Sequence, residues 1–379
     1  MEEFPTKAGD LTKHQKLISR FFSSHTIYDQ LLLVHEMGCV SPETPIIKWD
    51  GGIRRADEIK ENDILIGDDG MPRNVVSLID GSAEMFEIHQ NKAETYVVNG
   101  NHILTVKISG NFAITWTESI MTWTLRWFDK SLLKPMAKTK SCKNISKEEG
   151  YKFITDFRYT VYEEDDTLNI TVNDYMKLSK SVKSYMKGYK CPGIQWDNRK
   201  VVLDPYILGM WLGDGNSRGD GFTSADDELV KCWEIWAEKN NSKITHVKDS
   251  DICYYIRNND QGLSPFKEQL REYNLIDNKH IPREYIVNDR QTRLKVLAGL
   301  IDTDGYVYSN GTCIEIFQKN IELATQLCYL IRSLGFSCQQ KTRTKSCMYK
   351  GQKREGLYEC LSISGKNLED IPVILSRKK

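Results

Sequence analysis

Hydrophobic and polar positions change rhythm twice along this chain. Over 10–22, Leu17, Ile18, Phe21 and Phe22 share one helical face behind the capping stretch Asp10-Leu11-Thr12. Leu31-Leu32-Leu33-Val34 then reads as a short buried strand over 30–35. From Cys39 the rhythm is that of short strands, predicted over 44–49, 63–66, 73–78, 85–89, 96–98 and 103–108. They are divided by Asp50-Gly51-Gly52, Gly67-Asp68-Asp69-Gly70 and Asn99-Gly100, the turn chemistry of a compact all-β unit. Residues 130–200 are rich in Lys and Ser and mix both periods, so the pattern predicts no definite fold there. After Leu203 the helical period returns, with helices predicted over 205–212, 226–240, 265–273, 293–302 and 321–334. Strands are expected near Thr245, Tyr254, Cys338 and Leu361. The order helix, strands, helix, strands occurs twice about 90 residues apart, which marks an internal duplication.

A length of 379 residues suits two or three domains. Lys plus Arg and Asp plus Glu number 52 each, so nucleic-acid binding would have to come from local clusters of charge. No apolar run is long enough to cross a bilayer, and the acidic start Met1-Glu2-Glu3 lacks the regions of a signal peptide. The 10 cysteines contain no Cys-x-x-Cys pair, which argues against a structural zinc site and a disulfide scaffold. A soluble, intracellular protein with no membrane partner is expected.

The two repeats share a landmark: Leu208-Gly209-Met210-Trp211-Leu212-Gly213-Asp214-Gly215 and Leu297-Ala298-Gly299-Leu300-Ile301-Asp302-Thr303-Asp304-Gly305. Each is an apolar helix with small residues along it, ending in a carboxylate and a glycine. Small residues allow close helix packing, which would bring Asp214 and Asp304 to the same end. Two carboxylates there repel each other and face the negative ends of both helix dipoles, so a hard cation between them is expected, and Mg²⁺ fits. Carboxylates holding such an ion beside a phosphodiester support hydrolysis by activated water.

The segment from about Leu203 to Lys379 resembles the LAGLIDADG homing endonucleases. The resemblance implies two pseudo-symmetric αββαββα halves, double-stranded DNA across a saddle of strands, and metal-dependent cleavage with Asp214 and Asp304 as the metal-binding catalytic acids. Lys279-His280-Ile281-Pro282 is similar to the segment that precedes the second motif in such enzymes, so Lys279 is an expected active-site cation. Lys341 is expected as its counterpart by pseudo-symmetry. Arg343, Lys345, Lys350, Lys353 and Arg354 are the expected phosphate-tracking cations, which makes binding salt-dependent.

Cys39 stands where the texture changes. Its thiol can attack the preceding carbonyl and convert the Gly38–Cys39 amide to a thioester, a step that needs a proton donor for the departing nitrogen. His102 is the candidate donor, and Asn99 could hydrogen-bond the scissile amide. The stretch from Cys39 to Ile46 resembles the first splicing block of inteins. Tyr96-Val97-Val98-Asn99-Gly100-Asn101-His102-Ile103-Leu104 resembles the second, with Asn99 where Thr is more usual. The flank Leu31-Leu32-Leu33-Val34-His35-Glu36-Met37-Gly38 resembles the start of a helicase-like NTPase of large DNA viruses, where the strand runs into a P-loop; no Gly-Lys-Thr follows. At Ile371-Pro372-Val373-Ile374-Leu375-Ser376-Arg377-Lys378-Lys379 the closing His-Asn block expected of an intein is not present.

The expected organisation is a host segment over 1–38, the N-terminal part of an all-β Hint-type splicing domain over 39–200, and an α+β endonuclease over 201–379. Such a chain would act as a monomer on duplex DNA and would splice only with a separately encoded C-terminal intein fragment. The alternative expectation is an inactive DNA-binding remnant within a viral helicase or ATPase fragment.

Overall fold

The computed structural model describes residues 39–379 other than Lys92, Glu164, Asp249, Asn310, Lys350 and Gly351. The helix and strand expected over 10–22 and 30–35, and the approach to the P-loop at Gly38, lie outside the described residues, as does Lys350.

From Cys39 onward the chain forms short antiparallel pairs: Pro45–Ile47 with Ile53–Arg55, Ile64–Ile66 with Pro72–Asn74, and Met85–Ile88 with Tyr96–Asn99. Ile103–Ile108 is the centre of a three-stranded sheet between Thr167–Thr171 and Met186–Gly188. Its alternation Leu104, Val106 and Ile108 points inward, and the first two pack with Val98, Ile170 and Val172 as a small core. The strand expected over 73–78 ends at Asn74. Val76, Leu78 and Ile79 beyond it are exposed, because no neighbouring strand among the described residues pairs with them.

A separate module starts before the region that the pattern left open and runs into it. Ala113–Thr117, Thr122–Asp129 and Lys134–Ser141 form an antiparallel sheet, and the helix Lys147–Val161 lies on one face of it. Ser146 and Glu149 make a reciprocal capping box at the start of that helix. Phe112, Leu125 and Ile154 are the buried centre, flanked by Trp123, Trp127 and Phe157.

The last part has two helix–sheet halves around one core. The axial helices Pro205–Asp214 and Arg290–Asp304 start on Asp204 and Asp289, whose side chains accept from the first free amides. The first is apolar along almost its whole length, and the second is buried from Val296 to Asp302 with Gln291 and Lys295 left exposed at its start. The second half has the expected four strands, Gly305–Val307, Cys313–Gln318, Gln352–Ser364 and Ser337–Tyr349 in spatial order. The first half has three, Gly221–Thr223, Cys253–Asn258 and Ser242–His246. The fourth is reduced there to a bridge between Gly215 and Phe222, since the chain turns at Asn216–Gly219 at once.

The two domains meet along the strap 193–196. Arg293 is fully buried and donates to Ser333 O at 2.8 Å, Ser333 Oγ at 2.7 Å and Ile194 O at 2.6 Å, with Trp196 against its guanidinium. Trp196 in turn donates to Trp49 O at 2.7 Å.

Candidate functional sites

The acid pair is placed by two glycines. A Cβ at Gly209 would lie 2.2 Å from Val296 O, and one at Gly299 would lie 2.3 Å from Tyr206 O. The axial helices therefore touch backbone to backbone, and their C-terminal ends coincide. One turn on, a Cβ at Gly213 would lie 2.1 Å from Thr303 Oγ1 and 3.4 Å from Asp304 Cγ. Asp304 accepts from Gln318 Nε2 at 2.6 Å. Burial pushes its carboxyl up to about 6, with the Asp214 charge acting in the same sense and Lys279, Gln318 and Lys378 opposing. Burial also raises the Asp214 carboxyl against the pull of Lys279 and Lys378.

A lysine from elsewhere in the chain caps the end of each axial helix. Lys279 donates to Leu212 O at 3.0 Å and Gly213 O at 3.1 Å, with its ammonium over the Trp211 ring. Burial lowers it to about 8, although both acids favour its charge. Lys378 donates to Ile301 O at 2.7 Å and Asp302 O at 2.8 Å, and sits 3.4 Å from Thr303 O. Both satisfy terminal carbonyls and offset the negative dipole end that the acids share.

At the end of the second axial helix the place that Lys279 takes on the first is held by Lys378, where Lys341 was expected. Lys341 lies opposite Cys360 and is exposed on a long strand. The reason is tertiary. Buried Asp302 accepts from Tyr206 Oη at 2.6 Å and from the main-chain amides of Ile374 and Leu375 at 2.7 and 3.3 Å. That folds the last residues back beneath the second helix. One sequence signal pointed there: Ile371-Pro372 repeats Ile281-Pro282 at the same 90-residue offset as the two acids. Gln318 carried no such signal.

Among the described residues no group of three or more His, Cys, Asp or Glu side chains converges as a closed metal cage. Two carboxylates at an open end suit Mg²⁺, which keeps water and substrate oxygens as its other ligands. The residues present fit such an ion.

The long hairpin Ser337–Tyr349 and Gln352–Ser364 carries the expected cations. Lys341, Arg343 and Lys345 alternate onto one face. Arg343 pairs with Glu315 at 3.4 Å, Lys345 lies over the Phe317 ring at 3.2 Å, and Lys353 pairs with Glu355 at 2.6 Å. Arg354 is opposite Cys347 in the register.

At the other site, the strand Tyr96–Asn99 continues as a bridge between Val98 and Val40, which sets Cys39 beside Asn99. The Cys39 amide donates to Asn99 Oδ1 at 3.0 Å, and the Asn99 amide donates to Cys39 O at 3.0 Å. Asn99 is buried and Cys39 half-buried. The turn to His102 is clamped by Asn173, whose amide donates to Gly100 O at 2.9 Å and whose Nδ2 donates to Asn101 Oδ1 at 3.2 Å. Burial lowers the His102 imidazole below its ordinary value, which favours the uncharged ring.

Two family models match the chain: one described as Hom_end-associated Hint over residues 39–199, the other as Homing endonuclease over 280–371. The replicative DNA helicase DnaB of Mycobacterium intracellulare is 34% identical over 146 residues, 38% of this chain and 21% of that protein. A putative helicase 087L of Invertebrate iridescent virus 3 is 68% identical over 37 residues, 10% of this chain and 4% of that protein. The V-type proton ATPase catalytic subunit of Candida tropicalis is 23% identical over 407 residues, 84% of this chain and 36% of that protein. The chain thus spans well under half the length of these relatives. Among solved structures, mesophilic variants of the homing endonuclease I-DmoI are 19% identical over 44% of this chain and 83% of theirs, at a TM-score of 0.28. I-DmoI in complex with DNA and Ca gives the same identity and coverage at 0.27. Among the described residues no helix is long and apolar enough to cross a membrane.

Proposed function

We propose that this chain, which is an intein-type Hint domain joined to a homing endonuclease domain and set in a helicase-like host, cuts duplex DNA at Asp214 and Asp304 and rearranges the peptide bond at Cys39. The observation that carries the first activity is the glycine-mediated contact of the axial helices, which brings half-buried Asp304 and the more exposed Asp214 together between two lysines. A bound Mg²⁺ would supply activation of water and neutralisation of charge on the phosphodiester. Asp214 and Asp304 would hold it, and both must be ionised to do so. Gln318 orients the Asp304 carboxylate. Lys279 and Lys378 hold the helix ends and place positive charge beside the developing phosphorane. The exposed cations of the long hairpin position the duplex through its phosphates. Both acids belong to one chain, so a monomer suffices.

Lys279→Met and Lys378→Met are each expected to lower the single-turnover cleavage rate by about tenfold to a hundredfold. Helical content by circular dichroism should stay unchanged. A wild-type rate in both variants would remove the lysines from the site.

At Cys39 the Sγ attacks the Gly38 carbonyl carbon, the carbon–nitrogen bond breaks, and the thiol proton ends on the Cys39 nitrogen. Asn99 holds the N–H of that bond in place, and neutral His102 can accept the proton and return it. A complete splice would take a separately encoded C-terminal intein fragment as partner. Asn99→Ala should slow thiol-induced release of the segment before Cys39 by at least about tenfold, and Cys39→Ala should abolish it. Release that continues in Cys39→Ala would show another route.

A further inference from the structure

We propose a phosphate-binding pocket in the β-rich half of the molecule, lined by none of the residues of the two reacting centres. A cavity of about 400 Å³ opens where the strand Ile103–Ile108 leads into the three-stranded module and the helix Lys147–Val161 ends. Lys107, Arg158 and Lys187 line it together. Lys187 stands directly opposite Lys107 in the antiparallel register, an arrangement in which like charges repel. Asp166 pairs with Lys107 at 2.8 Å, and Glu163 is taken by Lys130 at 3.1 Å. Lys187 and Arg158 are left without a carboxylate among the described residues.

Arg158 is the decisive residue. Its Nε is sealed from solvent and has no hydrogen-bond partner, and its guanidinium rests on the Tyr162 ring at 5.5 Å. A buried, unsatisfied guanidinium donor is costly, and native structures place an acceptor at such a group. An acceptor with several oxygens and more than one negative charge answers the charge of Arg158 and Lys187 where they line the cavity, and the repulsion between the facing lysines. A phosphate group does so with bidentate geometry. It could come from a free phosphate or from the backbone of a DNA duplex.

The test uses the full chain. Thermal unfolding is followed while sodium phosphate replaces sodium chloride at constant ionic strength, and duplex binding is titrated over a range of salt. If a free phosphate is the occupant, the unfolding midpoint rises with phosphate, and Arg158→Gln and Lys187→Gln each weaken that response by about tenfold. If the occupant is a DNA phosphate, phosphate alone has little effect, and both variants lower the salt slope of duplex binding by about one. The duplex measurement rests on DNA binding by the chain; the phosphate measurement does not. Lys187 is exposed, so its variant keeps the test open should Arg158→Gln fold poorly. Unchanged phosphate response and unchanged salt slope in both folded variants would overturn the proposal.

Discussion

Replacing Asp304 by asparagine is expected to abolish duplex cleavage and, at the same time, to raise the unfolding temperature of the metal-free protein at pH 7. The loss of rate should be at least about a hundredfold to a thousandfold, because the amide neither carries charge for a cation nor replaces the carboxylate beside the phosphate. The gain in stability follows from the direction of the shift. A carboxyl raised to about 6 by burial binds more protons in the folded than in the unfolded chain between its ordinary value and 6. Stability therefore falls as pH rises through that window and stays low above it. Asparagine removes the buried charge and with it the loss. The same carboxyl sets an acid limb: cleavage should decline as pH falls through about 6 at limiting Mg²⁺, and the limb should move lower as Mg²⁺ increases. Unfolding curves with and without Mg²⁺, together with cleavage rates on both sides of that limb, check both halves. Cleavage that survives in Asp304→Asn would remove Asp304 from the chemistry.

The second large effect belongs to the helix contact. Gly299→Ala places a methyl 2.3 Å from Tyr206 O and 2.6 Å from the Met210 nitrogen, both main-chain atoms that cannot rotate away. The axial helices must separate, and the cost is expected to reach about 3 kcal/mol or more. A smaller host for a methyl group is not available on the facing helix, since Gly209 is already there. Cleavage should fall in the fraction that remains folded, because the separation also widens the gap between Asp214 and Asp304. Gly311→Ala is the control. Nothing surrounds a Cβ at Gly311, so its modest cost comes from its left-handed backbone alone. Equal denaturation midpoints for Gly299→Ala and wild type would mean that the helices are not held as closely as this contact requires.

Much of this molecule is fixed by its amino-acid sequence. The change of period at Cys39 and again after Leu203 is a property of side-chain order, and so is the repetition of an apolar helix ending in Asp-Gly. Glycine at 209 and 299 signals close packing because no other residue permits it. Cys39, Asn99, Asp214 and Asp304 stand out as candidates for the same reason: each lies within a short, recognisable run. The module over 113–161 was less legible, since its lysines lie over aromatic rings and hide the apolar face that periodicity detects. Lys138 lies over Phe157 and Lys140 over Phe153, covering apolar surface with aliphatic stems.

Tertiary structure decided what depends on distance through space. The ammonium that matches Lys279 comes from Lys378, because Asp302 captures the amides of Ile374 and Leu375 and returns the chain to the second axial helix. Gln318 reaches Asp304 because its strand, Cys313–Gln318, pairs back along Gly305–Val307, which leaves that helix. The raised carboxyl of Asp304, the lowered ammonium of Lys279 and the orphaned Nε of Arg158 arise from desolvation, which a residue acquires only when the fold closes over it. Sequence order determines which groups are present and which faces they share; burial and long-range contact determine how each of them ionises and what it can hold.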